Sequence, residues 1–414
     1  MSTVSIETAA KKGLAVSTTA EARSRATGRL YYLDWLRVLA ILTVFVYHTS
    51  RLFNVEDWNV KNPIWYPWVE VWNGFATTWM LPLIFVVSGA SLFYATAKGQ
   101  AGIKGAGTFV KDKALRLLVP WVVLLLTHQS LQFYLDRLSH GQFSGSFFQY
   151  LPQYYTRELD FYGAHLWYLW VLFLFGVLLY PLMRWLRGRG RGVLSKLGDL
   201  LALPGAVYAL ALPSLLLATL LDYENTPRNA GWSFPVYLWL TLAGFLVASN
   251  DRLQASCQRL RWVSLPLGLG LTGLFLALLQ ILVVGRGMVP AYGTWIYVLG
   301  WGIRALGSWC CILAILGFGR KHLNSSTPFL RYANEAVLPF YILHQTVILS
   351  VGYLVVQRAI PDLLKWLIVV PVSFVLIMLL YEFLVRRWNV LRVLFGMKTK
   401  VAQSVARPEA LLAR

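Results

Sequence analysis

Apolar segments of about 20 residues recur along almost the whole chain, and this feature limits the possible folds more than any other. The bilayer interior offers no water to backbone groups, so segments of this kind cross it as helices. Of the 414 residues, 57% are hydrophobic and only 14% are charged, which is typical of a polytopic membrane protein. The sequence therefore predicts an all-α transmembrane helical bundle.

The apolar segments and the basic residues between them predict a topology with ten spans. The predicted spans are 31–53, 67–97, 115–137, 164–186, 200–221, 233–249, 263–285, 291–318, 335–357 and 364–387. With the N-terminus in the cytoplasm, the inward-facing segments carry 28 Lys and Arg residues and the outward-facing segments carry 8. This imbalance satisfies the positive-inside rule. Both termini are therefore predicted to be cytoplasmic.

Two basic tails flank the predicted transmembrane domain of residues 30–390. Residues 1–29 are polar without an apolar core, which predicts a disordered cytoplasmic tail and not a signal peptide. Residues 391–414 are predicted to form a second basic cytoplasmic tail. The basic segment 184–196 is interpreted as a cytoplasmic loop that anchors the topology, with an anionic cofactor as the alternative ligand. The net charge of +20 follows this topology and does not indicate a nucleic-acid partner.

The three cysteines offer no recognisable site. Cys257 lies in a predicted loop, and Cys310 and Cys311 are adjacent within a predicted helix. This spacing provides neither a disulfide framework nor a set of metal ligands. The sequence therefore predicts no metal centre.

The first span contains Asp34, Arg37 and His48 within an otherwise apolar helix. A charge at the bilayer centre costs about 2.5–3.5 kcal/mol on insertion scales, so such residues usually serve a function. Arg37 and His48 are 11 residues apart, which places them on one face with roughly 16 Å of axial rise between them. Asp34 lies about 40° from His48 around the same helix. This stripe predicts a site that extends from one membrane surface to beyond the midplane.

The residue types in this stripe are compatible with several functions. A histidine can take a proton from a hydroxyl near neutral pH, and a buried arginine can hold a phosphate or a developing oxyanion. In a purely structural interpretation, Asp34 and Arg37 anchor the helix as an i, i+3 pair and His48 bonds a neighbouring helix. A transporter of an envelope glycan or its precursor, with His48 in a proton relay, is a second functional hypothesis. A non-catalytic subunit of a polysaccharide assembly complex is a third.

Other polar residues within spans need partners. Arg304 lies in the middle of a span, and Glu70 and Glu335 are the candidate carboxylates for an ion pair with it. A structural pair and a ligand-binding role are both open for Arg304. His165 and His344 each allow two interpretations, an interior hydrogen-bonded residue or a member of the site.

Motifs along the chain resemble the membrane-bound acyltransferase-3 family. In LDWLRVLAILTVFVYH, ten residues separate Arg37 from His48, as in the opening helix of that family. The other similar segments, in chain order, are FVVSGASLF (85–93), VKDKALRLLVPW (110–121), AHLWYLWVLFLF (164–175) and LPFYILHQTVI (338–348). The first span and the segment 54–68 together look most like the branch that modifies glucans.

The resemblance implies an enzyme that transfers acyl groups, often acetyl or succinyl, to hydroxyls of glycans and other acceptors. It implies acyl-CoA (acetyl-CoA or succinyl-CoA) as the donor substrate, no permanently bound cofactor, and the bacterial cytoplasmic (inner) membrane as the location. Where the family often has two arginines at the start of the third helix, this chain has Lys113 and Arg116. Lysine attracts phosphate as a point charge but cannot form a bidentate fork.

The resemblance also implies a role for each candidate residue. His48 would be the general base, in a catalytic stripe with Arg37 and Asp34. The basic groups would hold the donor, and the remaining polar side chains would contact the acceptor or the tetrahedral intermediate. The donor set is Arg37, Lys113, Arg116 and Arg304, and the acceptor set is Ser88, His165 and His344. Direct attack on the thioester and a covalent acyl-His48 or acyl-Ser88 intermediate are both open.

Overall fold

A computed structural model describes residues 30–98, 102–221 and 228–400; the predicted tail 1–29 and residues 401–414 lie outside the described residues. The described chain is predominantly helical, which confirms the all-α fold class. The helices are α1 (Tyr31–Ser50), α2 (Pro67–Ala95), α3 (Ala106–Lys113), α4 (Val119–Ser139), α5 (Phe147–Gln153), α6 (Trp167–Arg187), α7 (Arg191–Leu201), α8 (Leu212–Leu220), α9 (Phe234–Ser249), α10 (Asp251–Leu278), α11 (Trp295–His322), α12 (Pro328–Val356), α13 (Asp362–Leu380) and α14 (Asn389–Leu394).

Short 3₁₀ and π turns extend several of these helices, and two small hairpins connect others. The 3₁₀ turns are Arg51–Phe53, Ala164–Leu166 and Ala206–Ala211, and the π turns are Ala114–Leu118, Tyr154–Glu158, Leu279–Gly285 and Tyr381–Val385. The first hairpin pairs β1 (Ala97–Lys98) with β2 (Gly102–Ile103), and the second pairs β3 (Arg228–Asn229) with β4 (Trp232–Ser233). Both pairs are antiparallel.

Seven helices of the described chain are long and apolar enough to cross a membrane. They are Tyr31–Phe53, Pro67–Ala95, Ala164–Arg187, Asp251–Gly285, Trp295–His322, Pro328–Val356 and Asp362–Val385. The bent pair α7 and α8 brings the number to eight if it counts as one span. The protein is therefore a multi-pass membrane protein, while the predicted number of ten spans and the orientation of the termini stay predictions.

The three other predicted spans depart from a simple spanning helix for identifiable reasons. In 115–137, helix α4 is long enough, but its middle is the polar run THQSLQ (127–132). The predicted span 200–221 is interrupted at Pro204 and Gly205, where the chain bends by 112°. The 16 residues of α9 measure about 24 Å, which is less than the ~30 Å hydrocarbon core.

Small residues allow a very close helix contact between α2 and α9. A Cβ on Gly89 would lie 1.8 Å from the carbonyl oxygen of Thr241, and a Cβ on Gly244 would lie 1.9 Å from that of Val86. The two glycines therefore allow the backbones to touch, which is the packing role of small residues in membrane helices.

Burial separates a central set of helices from a peripheral set. In the apolar 18-residue stretch of α12, 78% of the residues are buried, whereas in that of α10 only 11% are buried. Helices α1 and α2 lie with α12 toward the centre, at 56% and 67% burial. The polar stripe of α1 is therefore enclosed by other helices, and one side of α10 is left to the surroundings.

Two local predictions are wrong. Cys257 is buried within helix α10 and not in a loop, because the helix begins at Asp251, capped by Asn250. The basic segment 184–196 is mostly helical: α6 continues to Arg187, and α7 starts four residues later. Within the predicted C-terminal tail 391–414, Arg392 is buried and pairs with Glu335 at 2.9 Å.

Candidate active site

The N-terminal end of α1 carries an arginine that makes three hydrogen bonds to side chains. Arg37 donates to Asp34 Oδ1 at 3.0 Å, to Asn334 Oδ1 at 3.0 Å and to Ser91 Oγ at 2.5 Å. The Asp34 pair follows from the i, i+3 spacing on one helix, whereas Ser91 and Asn334 come from α2 and α12. The Arg37 side chain is 23% exposed, so these bonds orient it without burying it.

Two further cations gather beside Arg37. Arg116 lies in the π turn between α3 and α4, and Lys113 ends α3. Neither side chain has a hydrogen bond or an ion pair within the part of the chain that the structure describes. Partial burial, followed by repulsion from Arg116 and Arg37, lowers the pKa of Lys113 to about 7. The predicted donor residues Arg37, Lys113 and Arg116 therefore form one cluster with surplus positive charge.

The C-terminal end of α1 carries His48, which contacts a second histidine. His48 Nδ1 lies 2.7 Å from His344 Nε2, and the two rings stack with centroids 4.9 Å apart. His344 Nδ1 bonds to the carbonyl oxygen of Tyr341. Because a carbonyl only accepts, the proton of neutral His344 is on Nδ1, and its Nε2 must accept from His48 Nδ1–H. The basic nitrogen of neutral His48 is therefore Nε2.

His165 and Trp58 complete the surroundings of His48. The His165 ring lies 5.0 Å from that of His344, and its Nε2 donates to the carbonyl of Ile342 at 3.2 Å. Its Nδ1 is buried without a hydrogen-bond partner among the described residues. Trp58 stacks on His48 with an interplanar angle of 3° and a centroid distance of 6.0 Å. The three histidines predicted for the site thus meet in one cluster.

The histidine cluster does not have the geometry of a metal centre. Two nitrogen ligands of a tetrahedral zinc ion, each at about 2.0–2.1 Å, are separated by roughly 3.3 Å. The 2.7 Å between His48 and His344 is a hydrogen-bond distance. Across residues 30–98, 102–221 and 228–400, no group of three or more His, Cys, Asp or Glu side chains is arranged to hold a metal ion.

A cavity of about 1500 Å³ opens beside His48. Its walls come from α1, α2, the segment 54–67, the residues around His165, the β3–β4 hairpin, α10 and α12. Asn73 lines it, accepts from Ser50 Oγ at 2.6 Å, and has a buried Nδ2 with no partner in the described chain. Asn73 therefore contributes to the cavity wall an amide whose nitrogen is unsatisfied among the described residues.

A hydroxyl pair lies between this cavity and the cation cluster. Ser88 Oγ and Tyr168 Oη are 2.6 Å apart, and Tyr168 lines the cavity. The Tyr168 hydroxyl is also within electrostatic range of Arg37 and Arg116. Ser88 therefore lies between the cation cluster and the cavity beside His48.

Arg304 lies apart from the other predicted donor residues. It donates to the carbonyls of Gly231 and Ala230 at 2.6 and 3.3 Å, and its guanidinium lies over the ring of Trp232 at 4.4 Å. Neither predicted carboxylate pairs with it, because Glu70 accepts from the backbone of residue 55 and Glu335 pairs with Arg392. Arg304 therefore supports the β3–β4 hairpin, which forms one wall of the cavity.

The sequence did not indicate several residues that the structure brings to the site. Trp58, Asn73 and Tyr168 all line the cavity. Their positions depend on contacts between distant segments, and the only signal was that Trp58 and Tyr168 lie in the segments 54–68 and 164–175 that resemble the family. The sequence placed His344 on the acceptor side, whereas the structure places it in direct contact with the proposed base.

The comparison with known families gives one result. The chain matches the acyltransferase-3 model, described as an acyltransferase domain, over residues 30–382. This match spans the cation cluster, the hydroxyl pair, the histidine cluster and the cavity. No curated protein and no solved structure matches the chain significantly.

Proposed function

The chain belongs to the acyltransferase-3 family, and from this premise we propose that it is an integral membrane O-acyltransferase. It moves an acetyl or succinyl group from cytoplasmic acyl-CoA to a hydroxyl of a glycan on the other side of the membrane. The observation that carries this proposal is the fixed orientation of His48, whose Nε2 is left basic while Nδ1 donates to His344. A base held by a second group is the usual arrangement for activating a hydroxyl.

With the N-terminus in the cytoplasm, the cation cluster faces the donor. Acyl-CoA carries several phosphates, and Lys113 and Arg116 have no competing bonds within the described chain. Arg37 adds a planar donor group between them and the hydroxyl pair. The positive charge attracts the phosphates, while the pantetheine arm extends along α1 toward His48. Arg304 has its bonds to the hairpin carbonyls, so we leave it out of the donor site.

In the reaction, the acceptor hydroxyl loses its proton to His48 Nε2 as its oxygen attacks the thioester carbonyl. A new C–O bond forms and the C–S bond breaks. His48 then returns the proton to the departing thiolate, which leaves as the free thiol of CoA. The tetrahedral oxyanion needs donors, and the Ser88 and Tyr168 hydroxyls are the nearest candidates between the two ends.

The test uses purified protein in proteoliposomes of determined orientation. Acyl-CoA labelled in the acyl group is supplied on one side and the glycan on the other, and the acylated glycan is measured by mass spectrometry. We expect transfer only when the donor is on the side of Lys113 and Arg116. Transfer that does not depend on the side of the donor would contradict the proposed arrangement, and glycan movement without acylation would favour a transporter.

A further inference from the structure

The cavity beside His48 has two chemically different parts. The part near α1 is lined by polar and aromatic groups, namely His48, Trp58, Asn59, Glu70 and Asn73. The part between α2 and the end of α10 is mainly apolar and is lined by Val71, Leu81, Gly273, Leu276, Ala277, Leu279 and Val284, with Gln280 as a polar residue among them. We call this second part the apolar arm. A site for a free glycan needs only the first part.

The apolar arm lies at the surface of the bundle. Its lining side chains Val71, Leu279 and Val284 are 60%, 44% and 66% exposed. Helix α10, which forms one wall, is the least buried of the candidate spans. The arm is therefore open to whatever surrounds the protein at that depth.

The position along α10 indicates that these surroundings are lipid. The apolar part of α10 starts at Val263, directly after Arg261 and Trp262. At 1.5 Å per residue, Gly273 lies about 15 Å and Val284 roughly 30 Å further along. These values correspond to the middle and the far boundary of a ~30 Å hydrocarbon core. With the proposed orientation, the apolar arm faces the outer leaflet.

The size of the cavity also exceeds what one sugar needs. Cavities for drug-sized ligands are about 300–1,000 Å³, and this one measures about 1500 Å³. A polar glycan would occupy only the polar part and would leave the apolar arm to the surrounding lipid. An apolar chain can move from the surrounding lipid into the apolar arm with little change in free energy. Because the chain stays anchored in the leaflet, the attached head group is held next to His48.

We propose that the acceptor is an amphiphile, a hydroxyl-bearing glycan head group joined to an apolar chain, and that it enters from the outer leaflet. The head group occupies the polar part, between Trp58 and Asn73, and the chain occupies the apolar arm along α2 and α10. This inference rests on the proposed function for the role of His48. It adds the substrate class and the route of entry.

The test needs a variant that fills the apolar arm and a matched control on the same helix. Gly273 lines the cavity, and Gly270 does not. Among the described residues, nothing lies within 4 Å of a Cβ added at either position. Gly273→Phe therefore adds an aromatic ring to the arm, and Gly270→Phe adds the same ring outside it. Both variants are made in the full chain and studied in nanodiscs.

Acyl transfer is measured with dodecyl glucoside and with methyl glucoside, which share a head group and differ in the chain. We expect the unaltered protein to prefer dodecyl glucoside by about tenfold or more in kcat/KM. Gly273→Phe should reduce this preference toward one, and Gly270→Phe should retain it. Equal efficiency with both glucosides, or a preference that Gly273→Phe leaves intact, would overturn the proposal.

A binding readout separates this proposal from the proposed function. Dodecyl glucoside with a photoreactive diazirine in its chain is irradiated with the protein without acyl-CoA, and the labelled peptides are identified. Labelling of 71–81 and 273–284 that excess dodecyl glucoside displaces, and that Gly273→Phe reduces, supports the apolar arm even if no acyl transfer occurs. Acyl transfer to methyl glucoside without such labelling would overturn the proposal while the acyltransferase function stands.

Discussion

The two ends of helix α1 are built in different ways. At the N-terminal end, Arg37 is held by a residue three positions away and by two other helices. At the C-terminal end, His48 depends on His344, which is 296 residues away in the chain. The first end offers a permanent positive charge, and the second offers a neutral nitrogen base. One helix thus carries two groups with separate chemical tasks at a distance of roughly 16 Å.

This difference predicts that substitutions at the two ends change different kinetic constants. A group that holds the donor changes the donor KM, whereas a group that acts only in the reaction changes kcat. The following substitutions test this separation. They are ordered from the largest expected effect to the smallest.

Replacement of His344 should have the largest effect among them. His344→Ala removes the acceptor that fixes the His48 tautomer, and we expect a loss of about 10- to 100-fold, the range found for partners that orient metal-bound histidines. The loss should fall on kcat, with the donor KM unchanged. His344→Gln retains an acceptor for His48 Nδ1–H and should recover part of the rate. A donor KM that rises with an unchanged kcat would contradict the assignment.

Replacement of Arg37 should weaken binding of the acyl donor without stopping acyl transfer. Arg37→Ala should raise the donor KM about tenfold, in line with the loss of one charge-assisted contact. Asn334→Ala is the matched control, because it removes one bond of Arg37 and leaves the charge in place. Steady-state kinetics at varied acyl-CoA give both values. Equal effects of the two substitutions would show that Arg37 acts only in packing.

The pH should control the donor KM through Lys113. With its pKa at about 7, Lys113 is charged below that pH and neutral above it. Only the charged amine attracts phosphate, so the donor KM should rise above pH 7, by at most about tenfold per pH unit. In Lys113→Arg the side chain stays positively charged at all these pH values, so the rise of the donor KM above pH 7 should disappear. A rise of the same size in Lys113→Arg would exclude Lys113 as its source.

Replacement of Trp58 should have the smallest effect. A stacked aromatic pair contributes about 0.5–1.5 kcal/mol, so Trp58→Ala should cost roughly 2- to 10-fold in kcat/KM for the acceptor. Trp58→Phe keeps a ring over His48 and should be milder. Trp262→Ala, at an exposed position far from the cavity, serves as the control. An effect on the donor KM alone would place Trp58 at the wrong end of the site.

The sequence predicted what depends on spacing within one helix. The stripe of α1 and the Asp34–Arg37 pair follow from helix periodicity, and the motif around Arg37 and His48 indicated the family. The contact between His48 and His344 could not be predicted, because it depends on how α1 packs on α12. The bend at Pro204 and Gly205 was visible as a helix-breaking pair, yet the apolar residues on both sides favoured a continuous span. Arg304 shows the same limit, since the partners that the structure describes for it include two backbone carbonyls, which carry no sequence signal.

The most direct test of the account is acyl transfer by His48→Ala, with donor binding measured on the same sample. General base catalysis contributes about 10²- to 10⁴-fold, so transfer should fall by about 10³-fold. Binding of labelled acyl-CoA should stay within about twofold of the unaltered protein, because the cation cluster is intact. His322→Ala, at an exposed position, controls for the loss of any histidine. Unchanged transfer in His48→Ala would contradict the central claim that His48 is the base.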